Sequence, residues 1–252
     1  MLEQSKIMQC RDLFAMRAHY GWAHYISQQL SKRLPLLKPA TERFDHTLGK
    51  YTDKKSVYFD QLHGTQTFTR QSCQVSNSIA IEDLCWGYGP TNPDFFREII
   101  AAVPVNLSTY SFIDVGAGKG MALMLASEFG FNEMVGVELS PHLIESGKIN
   151  IQRYNYSTKK TVKPSWIQAD ILDWPIPSKD SLFFFNNPLP GDIALQAIHR
   201  LEEAVANTES RLIIAYRKAP GKVDKFLKKS PHFYPMRLAP YWRIYGSEKT
   251  LR

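Results

Sequence analysis

The chain has 252 residues, 44% of them hydrophobic and 22% charged, which suits one α/β domain with an elaboration, or at most two small domains, around a real core. Its longest apolar runs, such as Leu182 to Phe185, fall far short of a membrane span, and Met1-Leu2-Glu3-Gln4 carries no basic stretch leading into an apolar one, so neither a membrane span nor a secretory signal is expected. The net charge of +7 is uneven: residues 1–60 hold ten Lys/Arg against six Asp/Glu, residues 61–210 ten against sixteen, and residues 211–252 eleven against two. The basic C-terminal segment reads first as a solvated face, and secondly as a surface toward an acidic partner, nucleic acid or anionic lipid. Cys10, Cys73 and Cys85 lie far apart with no Cys-x-x-Cys pair, which fits reduced thiols in a cytoplasmic protein, and no metal site is expected.

Ser5 to Leu34 reads as helical, with aromatics at Phe14, Tyr20, Trp22 and Tyr25, and Pro35 and Pro39 break it. Asp60 to Thr69 and Trp86 to Pro93 are rich in small and polar residues and read as loops. Residues 1–110 are therefore expected to form a helical extension or cap, with residues 111–252 as the main domain.

From Ser111 short apolar strands alternate with amphipathic stretches, the pattern of a parallel sheet covered by helices. Strands are expected at Ser111 to Val115, Glu133 to Glu138, Ser165 to Ala169, Ser181 to Asn186 and Arg211 to Tyr216. Helices are expected at Met121 to Phe129, Pro141 to about Tyr154, Ile193 to Ala206 and Val223 to Leu227. Ser140 as N-cap with Pro141 behind it opens the second of these. Tyr234 to Leu238 and Trp242 to Tyr245 read as extended segments that close the sheet with a hairpin.

The most informative stretch is Phe112-Ile113-Asp114-Val115-Gly116-Ala117-Gly118-Lys119-Gly120. An apolar strand runs into three alternate glycines and then a helix, so the backbone can approach a ligand closely. A P-loop would need glycine at Ile113 and Ser or Thr at Gly120, and both fail. The dinucleotide fingerprint started at Gly116 would need glycine at Met121, and fails there. The pattern D-x-G-x-G-x-G resembles that of the class I S-adenosylmethionine-dependent methyltransferases. Glu138, ending the second strand 24 residues after Asp114, and Asp170, ending the third, extend the likeness to three acids at three successive strand ends. Alone, each of the last two reads equally well as a solvated strand-end charge.

The resemblance covers about residues 111–217 and implies a Rossmann-like doubly wound, mostly parallel sheet with a C-terminal antiparallel hairpin and a helical N-terminal extension. It implies S-adenosylmethionine as cofactor, with Gly116, Gly118 and Gly120 passing its methionine part, Asp114 orienting that loop and the amino group, Glu138 with Leu139 at the ribose, and Asp170 with Ile171 at the adenine.

Asn186-Asn187-Pro188-Leu189-Pro190 ends the fourth strand where the family holds the methyl acceptor. In amino-methylating relatives an Asn/Asp-Pro-Pro-aromatic loop sits there; Asn187-Pro188 keeps the first two positions and Pro190 replaces the aromatic, which speaks against base stacking. The Asn186-Asn187 pair is also similar to the Asn-Asn-Phe loop of the nucleosome-core lysine methyltransferases that lack a SET domain. That likeness gives Thr67, Tyr88 and Thr91 as cofactor contacts, Asn186 as a cofactor and acceptor residue, and Asn187 as the acceptor-orienting residue. An Asx turn that stops a strand is the plain structural alternative for the pair. The implied activity is methyl transfer to an unidentified acceptor, with an amino group on a protein or other macromolecule favoured. A cofactor-binding scaffold without turnover and an NAD-dependent oxidoreductase are the competing readings. His63, His142 and His199 read as surface or packing residues.

Overall fold

A computed structural model of the protein describes residues 54–68 and 89–247. The expected helix at Ser5 to Leu34, the three cysteines and Tyr88 lie outside these residues.

Residues 54–63 form a helix, α1, so Asp60 to His63 are helical and only 64–68 are a loop. This corrects the reading of Asp60 to Thr69 as loop throughout. Two apolar anchors explain the extension: Phe59 stacks on Tyr154 at 5.8 Å, and His63 lies edge-on to the same ring at 4.9 Å. A second helix, α2 (Pro93–Ala101), also went unread. Its start signal is local: Asn92 accepts hydrogen bonds from the backbone N–H of Asp94 and Phe95, and Pro93 opens the first turn.

Thereafter strands and helices alternate: β1 (Ser111–Val115), α3 (Met121–Ala126), β2 (Glu133–Glu138), α4 (Pro141–Thr158), β3 (Ser165–Gln168), β4 (Ser181–Phe185), α5 (Gly191–Asn207), β5 (Leu212–Arg217), α6 (Gly221–Leu227), β6 (Phe233–Leu238) and β7 (Trp242–Ser247). The Ser140 cap is present, its hydroxyl accepting from the Leu143 N–H. The seven strands form one sheet in the order β3-β2-β1-β4-β5-β7-β6. Pairings from β3 through β5 are parallel, and β7 runs antiparallel to both β5 and β6. This is the expected doubly wound, Rossmann-like, mostly parallel sheet with a C-terminal antiparallel hairpin. The strand order reverses between β1 and β4, and in open parallel sheets ligands bind at the carboxyl ends of strands beside such a switch point.

Helices cover both faces, so β1, β4 and nearly all of β5 are buried along their whole length. One core joins Phe59 of α1, Phe96, Ile99 and Ile100 of α2, and all of α3 to Phe112, Phe184 and Ala215 of the sheet. Phe96 meets Phe112 and Phe184 edge-on. The other face packs Ile113, Phe183, Phe185, Ile214 and Tyr216 against α5 and α6. A carboxylate within β1, buried on both sides, therefore stands out: Asp114 is 3% exposed.

Candidate active site

The glycine loop leaves β1 at Gly116 and enters α3 after Gly120. Gly116, Gly118 and Gly120 all have positive φ, at 72°, 53° and 82°. That backbone favours glycine, and two of the three positions are also sterically closed. A Cβ on Gly116 would lie 2.6 Å from Pro188 Cβ, and one on Gly120 3.2 Å from the Trp166 ring. The loop is thus clamped between the β4 exit and β3. The Gly116 and Ala117 N–H groups both donate to the Val137 carbonyl of β2.

Glu138 holds the loop from the neighbouring strand end. Its carboxylate accepts from the Gly118 N–H at 2.9 Å and from the Ser140 N–H at 2.9 Å. Burial pushes the Glu138 carboxyl up and these backbone donors, with that of Leu139, pull it down. The carboxylate still has accepting capacity left for a ligand hydroxyl. Asp114 is different. Among the described residues no hydrogen bond stabilises its charged form, and burial with the nearby Glu138 charge raises it to about 8.

The third acid is less enclosed. The Asp170 side chain accepts from the Leu172 N–H at 2.8 Å, and its carbonyl accepts from the Asp173 and Trp174 N–H groups. Ile171 is buried beside it. Asp114, Glu138 and Asp170 thus stand at the carboxyl ends of three adjacent strands, as the sequence spacing required.

The loop after α1 supplies a second wall. Asp60 accepts from the Thr65 hydroxyl, from the Thr67 N–H and hydroxyl, and from the Phe68 N–H, at 2.5 to 3.0 Å. Thr67 is completely buried. Asn150 ties this wall to the glycine loop: its amide donates to the Lys119 carbonyl at 3.1 Å and accepts from the Gln66 N–H at 2.9 Å. Asp60 also offsets the effect of burial, which pushes the Lys119 ammonium down. Sequence reasoning missed both residues. The signal for Asn150 was available: it breaks the apolar stripe Leu143, Gly147, Ile151, Tyr154 on the buried face of α4.

At the β4 exit Asn186 is fully engaged, accepting from Arg217 Nη1 at 3.0 Å and donating to the Thr91 hydroxyl at 3.1 Å. Thr91 therefore reaches the site through Asn186. Asn187 sits in the left-handed region at φ 54°, partly exposed, a conformation that Asn tolerates better than most residues. Its amide makes no side-chain hydrogen bond among the described residues, which leaves it available to a ligand. Of the histidines singled out above, His142 and His199 are exposed and His63 bonds to Ser157. No group of three or more His, Cys, Asp or Glu is placed to hold a metal among the described residues, and none of the described helices is long and apolar enough to cross a membrane.

No protein-family profile matches the chain. Among curated proteins it is similar to the ribosomal protein L11 methyltransferase of Shewanella sp. (strain W3-18-1), at 25% identity over 161 residues, covering 57% of this chain and 54% of that protein. The corresponding protein of Shewanella baltica (strain OS155) is 26% identical over 158 residues, covering 56% and 53%. The chain spans about half the length of these relatives. Solved structures with some likeness include a ribosomal protein L11 methylase from Lactobacillus delbrueckii subsp. bulgaricus, at 15% identity and TM-score 0.42, covering 62% of this chain and 76% of that one. An RNA methyltransferase from Salinibacter ruber in complex with S-adenosylhomocysteine gives 14% identity and TM-score 0.42, covering 63% and 92%. A structural likeness of that size carries no argument about activity.

Proposed function

We propose that this chain is an S-adenosylmethionine-dependent methyltransferase. The observation that carries the reading is Asp114: a buried acid at the mouth of the glycine loop, beside Glu138, with no cation and no donor among the described residues to hold its charge. A ligand that brings a cationic amino group there supplies the missing partner. A pyrophosphate would instead bring negative charge against Glu138 and offer Asp114 no cationic partner, which counts against NAD and ATP.

Asp114 and the glycine loop would hold the amino-acid part of the cofactor, Glu138 the ribose hydroxyls through its remaining accepting capacity, and Asp170 with Ile171 the adenine. Thr67, in the wall organised by Asp60, would close over the cofactor from the α1 side. Bound there, S-adenosylmethionine supplies a methyl carbon already activated by its sulfonium. What remains for the protein is to align the acceptor in line with that carbon and to keep water away, and effective molarities from such positioning reach about 10⁵–10⁸ M. Asn187 is the residue suited to orient the acceptor, since Asn186 is committed to Thr91 and Arg217.

The acceptor we favour is an amino group on a protein or other macromolecule. The Asn187-Pro188 loop supports it, as do the curated relatives, which are named as ribosomal protein methyltransferases. A cytoplasmic setting belongs to the same reading. The test is transfer of a tritiated methyl group from S-adenosylmethionine into separated protein, RNA and small-molecule pools, with Asp114→Asn as control. Label that enters one pool with wild type and not with the variant supports the proposal. Cofactor binding without transfer to any pool favours a scaffold instead.

A further inference from the structure

We propose that Arg217 is the anchor for an oxyanion, a carboxylate or phosphate group carried by the methyl acceptor; this rests on the methyltransferase reading of the adjoining site.

Arg217 closes a strand whose preceding five residues, Leu212 to Tyr216, are all buried. Side chains alternate along a strand, and Ile213 and Ala215 face the core shared with α2, so Arg217 emerges on that face. There its guanidinium lies 4.9 Å from the Phe95 ring centroid and donates through Nη1 to Asn186. Its Nε is sealed from solvent and has no hydrogen-bond partner. Arg243 of β7 and Arg211 just ahead of β5 pair with acids, Asp224 and Asp180, whereas Arg237 of β6 is exposed to water. Among the described residues none pairs with Arg217. Both acids of α2 are engaged elsewhere, Glu98 by the Tyr241 hydroxyl and the Trp242 indole and Asp94 by Lys55.

Arg217 keeps part of its surface in water, but its guanidinium edge at Nε is withdrawn, and that loss costs more than one neutral hydrogen bond and one ring contact return. Burial accordingly lowers Arg217 to about 10, with no carboxylate opposing it. A charge kept under those conditions implies a counter-charge that arrives with a ligand. The place fits an acceptor. Phe185 and Tyr216 are register partners on adjacent parallel strands, so Asn186 and Arg217 are the next residues out at the carboxyl edge. Asn187 and Pro188 follow at once, with Pro188 against Gly116. An acceptor whose reacting group meets Asn187 thus has a guanidinium one strand away, and the planar fork of arginine matches the two oxygens of a carboxylate or phosphate.

The experiment titrates the full chain with sodium phosphate and, separately, sodium acetate at constant ionic strength, following the melting temperature with and without S-adenosylhomocysteine. Wild type, Arg217→Gln and Arg217→Lys are compared. A saturable rise in wild type is expected with at least one probe, weakened about tenfold or more in Arg217→Gln, the scale of one charge-assisted hydrogen bond, and partly restored in Arg217→Lys. The stronger probe distinguishes a phosphate-bearing from a carboxylate-bearing acceptor. No saturable response in wild type, or the same response in Arg217→Gln, overturns the anchor. Should Arg217→Gln not fold, Arg217→Lys decides alone: an affinity for the stronger probe unchanged from wild type overturns it. Calorimetry with S-adenosylhomocysteine on the same preparations separates the two readings. A flat titration beside an Arg217-dependent anion response sinks the methyltransferase reading and leaves the anion site standing.

Discussion

Replacing Asp114 by Asn should make the protein more stable at pH 8 and less able to bind its cofactor. Asp114 is buried within β1 and its carboxyl is raised from 3.8 to about 8, chiefly by burial and secondarily by Glu138. Below pH 4 the carboxyl is protonated in folded and unfolded chains alike and costs nothing. As pH climbs from about 4 to 8, the unfolded chain ionises while the folded one keeps its proton, so stability falls through that window and levels off above it. The full displacement corresponds to on the order of 5 kcal/mol. A buried amide without partners carries its own cost of about 1–3 kcal/mol, which leaves a net gain of about 2–4 kcal/mol for Asp114→Asn at pH 8. For a domain of this size that is on the order of 5–15 °C in melting temperature. The assay is thermal unfolding of the unliganded proteins at half-unit steps from pH 4 to 9, with S-adenosylhomocysteine affinity measured on the same stocks. Near pH 4 only the amide's own cost of about 1–3 kcal/mol remains and the variant should melt below wild type; the order should reverse as pH rises to 8, while cofactor affinity is lost. A variant that melts at or below wild type at pH 8, or a difference independent of pH, would refute the reasoning.

Three further outcomes follow from the same geometry. Glu138→Ala should weaken S-adenosylhomocysteine by about 1.5–3 kcal/mol in calorimetry, since it removes both the ribose acceptor and the bond that fixes Gly118; a folded variant with wild-type affinity removes Glu138 from that role. Gly147→Ala, inside α4, would gain about 1 kcal/mol from helix propensity alone, but its Cβ falls 2.3 Å from a Trp166 ring wedged against Gly136 and Gly120. Overpacking of about 1–3 kcal/mol should win, so the variant is expected to unfold earlier in urea, and a stabilised Gly147→Ala would show that the ring is free to move. Asn187→Ala and Asn187→Gly should both lose turnover at unchanged cofactor affinity, and the glycine variant, relieved of the left-handed backbone, should melt no lower than wild type; normal turnover in either ends the acceptor role.

Much of this architecture was legible because it is written in local patterns. Short, largely apolar runs bounded by polar turns marked the parallel strands, the extended segments from Tyr234 and Trp242 marked the hairpin, and Ser140-Pro141 marked the start of α4. The three strand-end acids were legible for the same reason, since a carboxylate just past an apolar run lands at the sheet edge. Helices α1 and α2 were harder to read. Residues 54–63 are short and are held by contacts to Tyr154, almost a hundred residues away in sequence, and Asn92-Pro93 gives a start signal that is clear only once a helix is looked for there. The roles of Asp60, Asn150 and Arg217 depend on which elements the topology brings together. Asp60 organises a turn of its own segment, but Asn150 joins that turn to the glycine loop, and Arg217 meets Asn186 only because β5 lies beside β4. Polar residues that interrupt an otherwise buried face were the available clue to the last two.

The most direct test of the central claim is calorimetry of the full chain against S-adenosylmethionine, S-adenosylhomocysteine and NAD at pH 8. The acid-lined glycine loop predicts saturable binding of the first two at micromolar levels and none of the third. Tight NAD binding with no response to either sulfur compound would contradict it.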